Sequence, residues 1–176
     1  MCVAGKHWEN YRSQCFLCGH GTWKDRHNWD TSCTDCPSGT ITEETGSTAL
    51  SQCICRSGYY GTSNGATCSY CSTGKFKALK GIGDCTSCAV GKRANTGKSE
   101  CTDCSPGLFT DERGQHRCTE CPVQTYQDEY GKTSCSSCPT GKRSSKGQKV
   151  CISCPADKYF EAGYPDECLG CSAGTY

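Results

Sequence analysis

The chain has 176 residues, 21 of them cysteine, with 34% hydrophobic residues and a formal net charge of +1. Cysteine alone makes up about 12% of it, so cross-links rather than a large apolar core must hold the fold, and the compartment is oxidising. The balanced charge argues against a nucleic-acid partner, and no apolar run reaches the roughly 20 residues that insert across a membrane.

Along the chain the cysteines fall at 2, then 15/18, 33/36, 53/55, 68/71, 85/88, 101/104, 118/121, 135/138, 151/154 and 168/171. Units therefore open at Cys2, Cys18, Cys36, Cys55, Cys71, Cys88, Cys104, Cys121, Cys138, Cys154 and Cys171. A fixed period of this kind marks a repeat architecture, here one tandem array over residues 1–176. Two cysteines within a Cys-x-x-Cys would close only a small strained ring. Joining the second cysteine of one pair to the first of the next gives Cys2–Cys15, Cys18–Cys33, Cys36–Cys53, Cys55–Cys68, Cys71–Cys85, Cys88–Cys101, Cys104–Cys118, Cys121–Cys135, Cys138–Cys151 and Cys154–Cys168. Each ring then encloses 12 to 16 residues, and a loop of that size stabilises by roughly 3 kcal/mol in the chain-entropy account. Cys171 is left over because its unit stops in mid-motif at Tyr176.

Within each unit the same punctuation returns. Glycine stands three residues after the opening cysteine at Gly5, Gly21, Gly39, Gly58, Gly74, Gly91, Gly107, Gly141 and Gly174, with Gln124 and Asp157 as exceptions. This pattern predicts a tight turn with positive φ. Two residues later stands Trp23, Tyr60, Phe76, Phe109, Tyr126, Tyr159 or Tyr176, one ring per unit to form the local core beside a disulfide. Asn95-Thr96-Gly97-Lys98 and Asp111-Glu112-Arg113-Gly114-Gln115 read as hairpin turns between short strands. No stretch shows helical periodicity over ten residues. The expected fold is an elongated rod of about ten small disulfide-rich β-hairpin-like modules, with little regular secondary structure and no central core.

Cys36-Pro37-Ser38-Gly39-Thr40, Cys121-Pro122-Val123-Gln124-Thr125-Tyr126 and Cys171-Ser172-Ala173-Gly174-Thr175-Tyr176 carry a family resemblance. They resemble the ephrin-receptor-like cysteine-rich repeat and the single-disulfide opening half of tumour-necrosis-factor-receptor modules. The resemblance runs end to end and implies an extracellular, disulfide-laddered rod. The receptor modules alternate two disulfide patterns where this chain repeats one, and Cys53-Ile54-Cys55 shortens a linker of otherwise two residues.

Other chemistries are weaker in the sequence. Zinc would suit Cys-x-x-Cys pairs about 13 residues apart, but the pairs are not grouped in twos and Cys2 has no place in such sites. A disulfide-bonded cysteine offers no thiolate to activate, and His7, His20, His27 and His116 lie in different units, so neither an enzyme site nor a cofactor or metal site is expected. The position of the aromatic holds Ile41, Arg93 and Arg143 at every third unit from the third onward. A twist of about a third of a turn per unit would set these on one side, making Arg93 and Arg143 the candidate contacts for a neighbouring molecule or an acidic glycan through fork-like hydrogen bonds.

Met1 runs directly into Cys2 without a secretory leader pattern. With the open last unit, this reads as an interior slice of a longer secreted or membrane-tethered protein. The expected function is non-enzymatic and structural: a rod or filament segment of an extracellular appendage, coat or stalk, with copies of itself or another extracellular protein as partner. The alternative is a ligand-binding ectodomain of a receptor or adhesion protein. The longest loop, Cys36 to Cys53, is the expected place for a special contact.

Overall fold

The computed structural model describes residues 1–62, 67–156, 158–159 and 168–171. Among them, twenty strands pair as ten antiparallel two-stranded hairpins, none joined into a larger sheet, and a short 3-10 turn spans Leu50–Gln52. Ten disulfides close ten rings, numbered here in chain order from Cys2–Cys15 to Cys154–Cys168, with Cα–Cα distances of 5.6 to 5.8 Å.

The expected turns at 95–98 and 111–115 do lie between strands that pair with each other, but the return strand comes further along the chain. Leu108 faces Glu120 and Phe109 faces Thr119; likewise Thr125 faces Ser137 and Tyr126 faces Ser136. The second strand of each of these hairpins is thus the pair of residues between the two cysteines. The segments 95–98 and 111–115 do not connect paired strands tightly; they form the far tip of each ring's long loop. The shortened linker shows how strict the register is. Cys55 itself takes a strand position opposite Thr40, with Ile54 opposite Ile41. The backbone bond that an opening cysteine makes elsewhere, Cys71 to Gly58 at 2.9 Å for example, is made by Arg56 to Gly39 at 3.0 Å.

The chain forms two compact units. The first comprises Met1–Ser72, Phe76–Thr86 and Thr96–Glu100; the second comprises Thr73–Lys75, Ser87–Asn95 and Cys101–Tyr176. Five disulfides lie in each. Neither has an ordinary apolar interior: the buried apolar residues described are half-cystines and Ala94. Cross-linking therefore supplies the stability that a chain so poor in apolar surface cannot gain by burial.

The aromatic positions do not form that core. Tyr60 is 42% exposed and Tyr159 is 46% exposed, while Trp23, Phe76, Phe109 and Tyr126 are half-buried. Burial falls one residue later, on Lys24, Thr42, Lys77, Ala94, Thr110, Gln127 and Ser144. The physical reason is proximity to sulfur. A Cβ at Gly61, which holds this position in the fourth ring, would sit 3.4 Å from both sulfurs of its own disulfide, and Ser144 Oγ lies 3.4 Å from Cys138 Sγ.

Candidate functional site

The geometry that repeats is the seam between consecutive rings. In the second unit the Gly91 N–H donates to the Thr110 carbonyl at 2.8 Å, and the Thr110 N–H donates to the Lys132 carbonyl of the following ring at 3.3 Å. The tip then reaches back, with Gly114 N–H on the Cys88 carbonyl at 2.9 Å and Gly131 N–H on the Cys104 carbonyl at 2.8 Å. The first unit uses the same bonds: Gly5 to Lys24 at 2.8 Å, Lys24 to Ser47 at 3.0 Å and Gly46 to Cys18 at 2.7 Å. Each seam satisfies backbone groups that a loop would otherwise leave to water.

At some seams glycine serves space as well as conformation. Gly74 has φ +78° and a Cβ there would run into the carbonyl of Gly114, two rings further on. Gln124 takes the same left-handed conformation without being glycine, at φ 66°, and keeps the seam bond to the Ser144 carbonyl at 3.0 Å. Asp157 and Gly174 lie outside the described residues.

The buried polar column finishes the loops. Lys77 sends its ammonium onto the Leu79 and Gly81 carbonyls at 2.8 and 2.7 Å, and burial holds its pKa below the ordinary lysine range. Gln127 donates to the Ser134 carbonyl at 2.8 Å and accepts from the Glu129 N–H at 3.0 Å. Sequence pattern missed this column because its members share no chemistry; only the offset of six from the opening cysteine unites them.

Arg93 and Arg143 are half-buried in their strands, opposite Thr102 and Ile152. Arg143 Nε lies 3.0 Å from the Cys168 sulfur of the next ring. His7, at the same offset in the first ring, places Nδ1 3.6 Å from Cys33 Sγ, again in the next ring. His7, Cys18 and Cys33 bring their ligand atoms within 4.8 Å of one another, but the two sulfurs are bonded to each other and carry no thiolate to offer a metal. The loop from Cys36 to Cys53 folds onto itself, Gln52 Oε1 accepting from the Thr48 and Ala49 amides at 2.7 and 3.0 Å. A more distinctive tip is that of the fifth ring, where Leu79 and Ile82 stand 79% and 73% exposed. They border a shallow concavity of about 270 Å³ together with Phe76 and Ala78.

The sequence pattern of the family described as tyrosine-protein kinase ephrin type A/B receptor-like matches residues 5–53, 91–124 and 112–146, more than half of the chain. A human protein, Signal peptide, CUB and EGF-like domain-containing protein 2, is 36% identical over 143 residues, covering 73% of this chain and 14% of its own length. Ephrin type-B receptor 2 of Coturnix japonica and of Gallus gallus are each 34% identical over 61 residues, 34% of this chain and 6% of theirs. The chain thus spans a small part of each relative. Similarity to these proteins and ten disulfides make this an extracellular or cell-surface sequence. Among the described residues no helix is long and apolar enough to cross a membrane.

Proposed function

The chain belongs to the ephrin type A/B receptor-like family of cysteine-rich repeats, and on that premise we propose that it is a non-enzymatic structural segment of a surface appendage, coat or stalk. The observation that supports this reading is the sameness of the seams. Gly5, Gly58, Gly91 and Gly107 each donate to the residue six places past the next opening cysteine, at 2.7 to 2.8 Å. A chain built to be repeated serves spacing, because each added repeat supplies the docking groups for the next.

Deleting one full repeat, residues 104–120, from the whole protein tests the reading. The remaining rings then keep their neighbours, so surface delivery and attachment to an extracellular protein partner should persist while the distance spanned shortens. Complete loss of attachment with folding intact would overturn it.

The second reading, a ligand-binding ectodomain, is supported by the relatives named as receptors. In that reading Arg93 and Arg143 remain the proposed contacts. Arg93→Glu and Arg143→Glu in the whole protein should then weaken attachment with the disulfides intact; unchanged attachment in both removes it.

A further inference from the structure

His7 stands five places past its opening cysteine, where Phe109 and Tyr126 stand in their own rings. Its strand, Lys6–Glu9, carries it to the disulfide of the second ring. There Nδ1 lies 3.6 Å from Cys33 Sγ, and the imidazole nitrogen, Cys18 Sγ and Cys33 Sγ all fall within 4.8 Å of one another. Arg143, at the same offset, repeats the arrangement with Nε 3.0 Å from Cys168 Sγ. A side chain at this offset can thus reach the closing sulfur of the following ring, and its chemistry decides what that sulfur meets.

The eighth ring is the internal comparison. Cys18 and Cys121 are fully buried, while Cys33 and Cys135 are half-buried. The two bonds span 15 and 14 residues of sequence, so loop size does not separate them. The ring before the eighth offers Phe109 at the offset that gives the second ring an imidazole. An imidazole N–H beside sulfur stabilises a thiolate, and a phenyl ring does not.

We infer that Cys18–Cys33 is a thiol-exchange site, opened by a small external thiol with His7 as proton donor. The external thiolate attacks Cys33 Sγ, the more accessible sulfur. The S–S bond breaks, its electron pair passes to Cys18 Sγ, and that sulfur takes a proton from the His7 imidazolium. A second thiolate attacks the external sulfur of the mixed disulfide; the pair passes to Cys33 Sγ, which takes a proton from reprotonated His7. Two thiols are oxidised to one disulfide, and the cystine is reduced to two thiols. The loop so opened carries Trp29, which is 57% exposed and stands edge-on to Trp8 with ring centroids 4.6 Å apart. Indole emission therefore reports the same event.

Timed exposure of the whole, disulfide-intact protein to reduced glutathione at neutral pH, with alkylation and mass-spectrometric reading of each cysteine, tests this. Cys18 and Cys33 should be labelled at least about threefold faster than Cys121 and Cys135, because a better-stabilised thiolate leaves faster. His7→Phe, which installs the side chain that faces the eighth ring, should bring the second ring down to the eighth ring's rate and leave the eighth unchanged. His7→Gln, polar but without a titrating proton, should do the same and serves if the first variant misfolds. A second ring labelled no faster than the eighth in the unaltered chain overturns the assignment, whatever the variants do. A folded variant whose second ring keeps the original rate overturns it equally.

Discussion

Gly74 and Gly141 occupy the same place in their repeats, at φ +78° and +80°, yet a methyl at Gly74 meets the Gly114 backbone while one at Gly141 meets none of the described residues within 4 Å. The two substitutions therefore separate conformation from space. Gly141→Ala should cost about 1–2 kcal/mol, the strain of a side chain in the left-handed region. Gly74→Ala should cost clearly more, because the seam two rings away must open. Denaturant unfolding with the disulfides intact measures both, and equal losses would show that close approach does not matter. Lys77 gives a second residue-scale test. Lys77→Met keeps the stem but leaves the Leu79 and Gly81 carbonyls without their donor, at about 1–3 kcal/mol. Amide exchange should rise in residues 78–83 and stay unchanged in the seventh to ninth rings; an unchanged fifth ring would show that water replaces the ammonium without loss.

The element that matters most is the ring tip, which looks like an exposed polar turn and is a docking device. The amides of Gly114, Gly131 and Gly147 donate to carbonyls of the preceding ring at 2.8 to 2.9 Å. They should exchange with solvent as slowly as the strand amides of Phe109 and Tyr126, by NMR, and exchange at the unprotected rate would contradict the docking. Here the limits of sequence reading are plain. The period of the cysteines carried the module class, and glycine three places past the opening cysteine carried the positive φ, because both are chemical signatures that few other residues satisfy. The tip glycines were visible as turn signals, and the loops they mark do join paired strands, but that the Cys-x-x-Cys linker itself is the return strand was not visible. The aromatic was a natural candidate for the core and is the wrong residue by one. Its successor is buried whether it is Lys24, Thr42 or Ala94, because backbone geometry around the disulfide fixes burial there and leaves side-chain chemistry free. The concentration of tryptophan in the first two rings was readable in the sequence, but its exposure at Trp29 was not.

At the scale of the whole molecule, stability rests on cross-links. The buried apolar residues described are half-cystines and one alanine, so full reduction should abolish the dispersed amide spectrum throughout rather than loosen one end. A reduced chain that kept native-like dispersion would show that the seams hold without sulfur. The central claim is that every ring is closed by its own disulfide before the next begins. Proteolysis of the non-reduced protein with mass-spectrometric identification of the linked peptides tests it most directly. The account predicts ten links between successive pairs, Cys104–Cys118 and Cys121–Cys135 among them. A bond within a pair, such as Cys118 to Cys121, or zinc held by reduced cysteines, would contradict it.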